Sequence, residues 1–381
     1  MRGGAVAPLA GAAIAESFGS LGSALTTLAV SLTVVVALII GFDVPARIGR
    51  AIGSPPTTRP VPPAPPRIGP HMPDLAGRLH GVIPPLVTPL DGDGEVDRAA
   101  LERLVAFVLD AGVDGVFLGG STGEIALLDT AQRRALVEVA VGAVAGAVPV
   151  LVGAVDTGTR RVVEHARQSA AQGADGVVVT APFYITPNPA EIVEHFRIVH
   201  SAVDVPVVAY DIPSAVGARL TPDIVAALAK SRLVVGLKDS SGDLAGFRET
   251  LRRVPADFPV LTGSELLADT AVQLGAAGIV PGLGNVDPHG YVRLFRTAAA
   301  GDLVAAAAEQ DRLARLFEIV GVPDQRRIGF TAGALGAFKA AMAVRRIITN
   351  PATNPPLLPL DDTETKAITA VLDELGLGPV R

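Results

Sequence analysis

Short apolar runs recur along the chain from Gly81 onward, and between them apolar residues return every three or four positions. The runs read GVIPPLVT (81–88), GVFLGG (115–120), PVLVGA (149–154), GVVVTAP (176–182), PVVAYD (206–211), VVGLK (234–238), PVLTG (259–263) and GIVPG (278–282). They are apolar throughout rather than alternating, which suits parallel strands covered on both faces. The intervening stretches, such as RAALERLVAFVLDAG and PAEIVEHFRIVHSAV, carry the period of amphipathic helices. Several end in Gly just before the next run, where a helix C-cap belongs. Asp129 or Thr130 serves as an N-cap, with Gln132 three residues after Asp129. The unit repeats every ~20–35 residues, the size of a βα unit. Eight such units predict a closed (β/α)8 TIM barrel over 78–297. A doubly wound open sheet is the alternative, but no glycine-rich dinucleotide fingerprint follows the first strand. After about residue 298 the strand pattern stops. AAGDLVAAAAEQDRLARLFEIVG, FTAGALGAFKAAMAVRRIIT and ETKAITAVLDELG predict a C-terminal helical bundle over 298–381.

The N-terminal part follows another pattern. Residues 17–42 carry no charge, and LGSALTTLAVSLTVVVALIIGF (21–42) has the length of a membrane-spanning helix, which takes ~20 apolar residues. Arg47, Arg50, Arg59 and Arg67 follow it and only Arg2 precedes it, so a span here would leave the rest of the chain in the cytoplasm. The proline-dense stretch beginning GSPPTTRPVPPAPPRIGP predicts an extended linker over 53–77. A competing expectation is that the leader is an over-long reading frame and that Met72 opens the natural domain. Either way the barrel is expected to be cytoplasmic, with membrane contact only through residues 21–42.

Composition narrows the function. The chain has 381 residues, a formal net charge of −6 and few aromatic residues. It lacks the basic footprint and stacking platform of a nucleic-acid binder. With no cysteine it has no disulfide, thiolate metal site or cysteine nucleophile. The histidines form no metal motif: Glu164-His165 and Glu194-His195 lack HExxH spacing and read as solvated helix faces, and His289 alone falls near a strand end. No metal is expected.

In barrels of this kind the chemistry sits at the C-terminal ends of the strands. Those ends carry Thr88, Ser121 and Thr122 in GGSTGE, Tyr184 in APFYITP, Tyr210 in VVAYDIP, Lys238 in GLKDSSGD, and Thr262, Gly263 and Ser264 in LTGSE. Lys238 is one of four lysines; Lys230, Lys339 and Lys366 fall on helices or helix ends and read as solvated or structural. A lysine carried by an apolar strand into a barrel mouth is partly desolvated, which favours its neutral, nucleophilic form. Such an amine adds to a ketone or aldehyde to give a Schiff base, an electron sink for making or breaking C–C bonds. GGSTGE is not followed by the Lys and Ser/Thr of a nucleotide loop, but its backbone N–H groups suit a small carboxylate.

From about Arg78 to Arg346 the chain resembles the dihydrodipicolinate synthase / N-acetylneuraminate lyase family of pyruvate-dependent class I aldolases. GVIPPLVTPLDGDGEVD, GGSTGE, APFYITP, YDIPSAVG, GLKDSSGD, LTGSE and GIVPGLGNVDP occur in the family's order. The resemblance implies that Lys238 forms the imine and Tyr210 shuttles its protons. It implies a hydroxyl relay through Ser121 and Tyr184, completed in family tetramers across a subunit interface. Thr122 and Gly123 would hold the pyruvate carboxylate, and Gly263 and Val280 would line the pocket. The expected partners are a 2-oxo acid and an aldehyde, with no cofactor beyond the lysine imine, in a homo-oligomer (tetramer or dimer). Ala215 stands where synthases of the family carry an arginine for the second substrate's carboxylate, and Asp211 replaces a common asparagine. The expected activity is therefore cleavage of a 2-oxo-3-deoxy sugar acid or 4-hydroxy-2-oxo acid. Dihydrodipicolinate (4-hydroxy-tetrahydrodipicolinate) synthase activity and a non-catalytic binding barrel are the alternatives.

Overall fold

The computed structural model describes residues 75–380. The apolar stretch 21–42 and the linker up to residue 74 lie outside the described residues. Among the described residues no helix is long and apolar enough to cross a membrane. The last residues of the expected linker are helical: α1 (Leu75–Arg78) directs Leu75, and Leu79 just after it, into the barrel interior.

Eight short strands follow: β1 (Gly81–Val82), β2 (Val116–Leu118), β3 (Val150–Gly153), β4 (Gly176–Thr180), β5 (Val207–Asp211), β6 (Gly236–Asp239), β7 (Val260–Thr262) and β8 (Gly278–Ile279). All pairings are parallel, in the order β1-β8-β7-β6-β5-β4-β3-β2. The two ends of that order meet, because Phe117 N–H donates to Pro84 O (3.0 Å) and Leu86 N–H donates to Phe117 O (2.8 Å). The expected barrel is thus the observed one. Its first strand is shorter than the run 81–88 predicts, since Pro84 and Pro85 have no N–H to give a ladder. Pro281 likewise turns the run 278–282 into the 3-10 turn Gly282–Asn285. The Asn285 side chain joins this turn to the end of the first run, accepting from Val87 N–H (3.0 Å) and donating to Pro85 O (2.8 Å).

Helices α2 (Arg98–Asp110), α3 (Thr130–Val144), α4 (Thr159–Ala171), α5 (Pro189–His200), α6 (Pro213–Val216), α7 (Pro222–Lys230), α8 (Leu244–Arg253), α9 (Ala268–Leu274) and α10 (Pro288–Ala299) accompany the strands. Asp129 caps α3 in a full capping box with Gln132. Beyond the barrel lie α11 (Leu303–Phe317), α12 (Phe330–Val344) and α13 (Asp362–Glu374), which join the core formed by β1, β2 and α2.

Successive strand residues point to opposite faces. Ala209, Leu237 and Val260 therefore face the surrounding helices, whereas Val208, Tyr210 and Leu261 fill the interior. The interior is tight where β3 passes the end of β2: a Cβ on Gly153 would lie 1.9 Å from Gly119 O. Gly153→Ala is expected to destabilise the barrel by about 2–3 kcal/mol in urea unfolding, as overpacking against rigid backbone does.

Asp211, one residue beyond Tyr210, faces outward and is buried behind the sheet. It accepts from Leu220 N–H (2.9 Å) and Arg219 Nε (3.2 Å), and so fastens the loop between β5 and α7. Burial raises its pKa to about 6, outweighing the hydrogen bond from Leu220 and the charge of Arg219, with Asp239 adding to the rise. The unfolded carboxyl ionises first, so the stability this group confers is complete below pH ~4 and is lost as pH rises through ~6. In Asp211→Asn that loss, about 2–3 kcal/mol, should vanish, and unfolding curves collected between pH 4 and 6 will show it.

Candidate active site

Lys238 occupies the third position of β6, between Leu237 and Asp239, and alternation turns it into the interior. It is 5% exposed. Its Nζ lies 4.1 Å from the centre of the Tyr210 ring and 4.8 Å from that of Phe117. The two rings meet edge to face at 6.2 Å, and their π faces attract an ammonium group. Parallel register sets this geometry, since Tyr210 on β5 is the partner of Lys238 on β6. Room for the amine comes from Gly263 at the end of β7. A Cβ there would fall 3.3 Å from Lys238 Cε and 2.0 Å from Ser240 Oγ. Val280 packs in the same interior cluster as Tyr210 and Phe117.

The Tyr210 hydroxyl is 3.4 Å from Ser121 Oγ. Burial alone would push this phenol up. The charge of Lys238, with hydrogen bonds from Ser121, Ser240 and Lys238, outweighs burial and holds it below the usual tyrosine value. A phenol so placed accepts and returns a proton at low cost.

Ser121 and Thr122 sit on successive tight turns after β2. Gly123 N–H donates to Gly120 O and Glu124 N–H to Ser121 O, both at 3.1 Å. Thr88 closes the turn from the side by donating to Gly123 O at 2.8 Å. A Cβ on Gly123 would lie 2.9 Å from Leu86 O, so the turn packs directly on the end of the first run. Thr122 is half-buried beside this turn.

Tyr184 is placed differently from the other site residues. It is 95% exposed, its φ of 68° lies in the left-handed region, and the Ser121 hydroxyl meets Tyr210 instead. Tyr184 lines an open groove of about 490 Å³ with Ile185, Thr221 and Arg219. Within one chain the contacts therefore run from Lys238 to Tyr210 to Ser121. Arg219 is itself engaged by Asp211 (3.2 Å) and Asp243 (3.5 Å).

Several neighbours escaped the sequence reading. Phe117 looks like an ordinary strand residue until its ring is found beside Lys238. Ser240, within KDSSGD, reaches Tyr210. Glu265, in LTGSE, accepts from Leu283 N–H (2.7 Å) and Tyr291 OH (2.9 Å), and burial raises its pKa despite the nearby charge of Lys238. The histidines read as solvated require correction. His195 is buried on the inner face of α5 with Ile192, Phe196 and Val199, and that burial lowers its pKa to about 4. His165 is largely buried and pairs with Asp156 at 3.1 Å. His289 sets its ring edge against Phe107 at 6.1 Å. Lys230 and Lys366 are exposed, but Lys339 is wholly buried.

This arrangement can be set beside known proteins. The sequence model of the Dihydrodipicolinate synthetase family matches residues 78–375. An uncharacterized DapA-like lyase of Halobacterium salinarum is 38% identical over 299 residues, covering 78% of this chain and 95% of its own. A 4-hydroxy-tetrahydrodipicolinate synthase of Methanosphaerula palustris is 34% identical over 297 residues, covering 77% and 98%. Among solved structures, a prophage protein of the dihydrodipicolinic acid synthase family from E. coli K12, in complex with pyruvate, superimposes with a TM-score of 0.73. It is 30% identical, and the match covers 78% of this chain and 99% of that one. The protein with Lys238, Tyr210 and Ser121 at its barrel mouth belongs to the dihydrodipicolinate synthetase family and is a lyase.

Proposed function

We propose that this protein is a class I aldolase that forms an imine between Lys238 and the 2-oxo group of pyruvate or of a longer 2-oxo acid. The observation that carries the reading is the Lys238 amine, buried at the barrel mouth 4.1 Å from the centre of the Tyr210 ring, with the Tyr210 hydroxyl on to Ser121. In this reading the Lys238 amine adds to C2 of the substrate. Tyr210 carries one N–H proton to the former 2-oxo oxygen, giving the carbinolamine, and then donates its own phenolic proton to that oxygen, which leaves as water and yields the iminium. The iminium draws electrons from the C3–C4 bond as the C4 hydroxyl gives its proton to the Tyr210 phenolate. An aldehyde departs, the remaining enamine is protonated at C3, and water hydrolyses it to pyruvate and free Lys238. Ser121 passes protons between Tyr210 and the mouth. Thr122 and the turn at Gly123 face the carboxylate, while Gly263 and Val280 bound the space for the C3 methyl. No metal or organic cofactor enters this sequence, because the imine is the electron sink.

The aldehyde partner follows from charge. With Ala215 in the loop after β5, no arginine there awaits a carboxylate. Arg219, the nearest substitute in that loop, is already shared by Asp211 and Asp243. An uncharged, hydroxylated aldehyde fits better than aspartate semialdehyde, which favours a 2-oxo-3-deoxy sugar acid or 4-hydroxy-2-oxo acid as substrate. The name of the Methanosphaerula palustris relative supports the second reading, condensation of pyruvate with aspartate semialdehyde. The exposed Tyr184, with Ile185 beside it, suits a homo-oligomer in which Tyr184 of one copy completes the relay of another. We place the barrel in the cytoplasm, where these small acids are supplied.

Pyruvate and borohydride should leave a reduced adduct on the protein that peptide mapping assigns to Lys238. Lys238→Ala should fold and give neither adduct nor turnover; an adduct elsewhere, or none on the wild type, refutes the imine. Tyr210→Phe should lower kcat by about 10²–10³-fold with a normal fold, as loss of a proton shuttle does. A panel containing both oxo-acid classes, and pyruvate with aspartate semialdehyde, separates the two readings by which mixture turns over.

A further inference from the structure

The most deeply buried ion pair among the described residues lies outside the mouth. Lys339 on α12 and Glu124 at the end of GGSTGE have side chains that are 0% exposed, and Lys339 Nζ stands 2.5 Å from Glu124 Oε1. The other carboxylate oxygen accepts from Asn354 N–H (2.6 Å) and Asn354 Nδ2 (3.3 Å). Lys339 Nζ also donates to Ala352 O at 2.7 Å. Gln132, from the capping box of α3, donates to Asn354 Oδ1 (3.0 Å) and Gly94 O (2.7 Å). A single polar network thus joins the turn after β2 to α3, α12 and the segment leading to α13.

A buried pair of this kind gives little net stability, because desolvating both charges offsets most of their attraction. Its consequence is geometric. Glu124 has a φ of 60°, a conformation that L side chains avoid, so the backbone there must be held. Glu124 N–H donates to Ser121 O, and Glu124 O accepts from Leu127 N–H (2.8 Å), so whatever holds Glu124 also fixes both sides of the turn.

We infer that Lys339 and Glu124 are positioning residues that set the Ser121–Thr122–Gly123 turn for the substrate carboxylate, so that the C-terminal helix α12 governs 2-oxo acid affinity without touching the substrate. The inference rests on the proposed role of that turn as the carboxylate cradle. The Lys339 charge acts on one oxygen of the Glu124 carboxylate and the two Asn354 hydrogen bonds on the other, which holds the side chain more firmly than neutral partners would. Neutral replacements of the same shape would leave the core packed and the turn loose.

The test uses the full chain and two readouts: the thermal midpoint, and borohydride trapping as a function of pyruvate concentration. Glu124→Gln and Lys339→Met each leave a buried partner unpaired, so both should lower the midpoint and raise the half-saturating pyruvate concentration. The double variant should recover most of the midpoint, since no buried charge remains uncompensated. Its half-saturating concentration should stay about tenfold above wild type, with the saturating trapping rate within about twofold. Asn354→Ala keeps the ion pair and should raise half-saturation about threefold. A double variant with a recovered midpoint and wild-type half-saturation overturns the inference, as does a loss confined to the saturating rate. Should the ion-pair variants fail to fold, wild-type half-saturation in Asn354→Ala overturns it. A wild-type protein that traps no pyruvate sinks the imine reading and this inference together; one that traps normally beside indistinguishable variants sinks the inference alone.

Discussion

A closed parallel barrel obliges alternate residues of every strand to fill a narrow interior, and this constraint organises the rest of the molecule. The interior is occupied by Val178, Val208, Leu261, Phe117 and Tyr210 and takes almost no polar group until the C-terminal rim. Lys238 is admitted because the pairing of β5 with β6 sets it opposite Tyr210, whose ring receives the amine. A slip of one residue in that pairing would turn Lys238 outward among the apolar contacts of Leu237. The proposed chemistry thus depends on register before it depends on any single catalytic group.

The loops at the rim face a different problem, because strands do not hold them. Three of them are fastened by a polar side chain that leaves the mouth and enters the protein. Asp211 reaches behind the sheet to Leu220 and Arg219, Asn285 clasps the ends of the first and last strand runs, and Glu124 runs to Lys339 and Asn354. These groups are costly to bury, so they persist only where their partners are complete. Here they tie rim segments to one another, and in the case of Glu124 to a helix that is itself part of the core. Among the C-terminal helices, α12 reaches the turn after β2 through one side chain, Lys339.

The charges near the mouth are balanced within the protein. Arg219 is divided between two aspartates, and Lys238 sits among rings and hydroxyls with Glu265 in the background. A second anionic substrate group meets no unengaged arginine in the loop after β5, which is the physical ground for favouring an uncharged aldehyde. Tyr184 stands apart, held outward by its own backbone conformation, where another copy could meet it.

The sequence alone favoured the barrel and placed Lys238, Tyr210 and Ser121 at strand ends, because eight repeats of an apolar run and a helix period, with no dinucleotide fingerprint, suit a closed barrel better than an open doubly wound sheet. It also narrowed the cap of α3 to Asp129 or Thr130, since capping is decided within four residues, and the structure settles on Asp129. Strand lengths escaped it where proline removed a ladder donor, as at Pro84 and Pro281. Tertiary structure decided what lies far apart in sequence: the Phe117 ring beside Lys238, the engagement of Arg219, the burial of His195 and the partnership of Glu124 with Lys339. A helical lysine or histidine reads as solvated from its own helix, and only the neighbour packed against that face settles whether it meets water. Tyr184 is the complementary case, a strand-end tyrosine whose left-handed backbone turns it out of the mouth, which no pattern of residue types records.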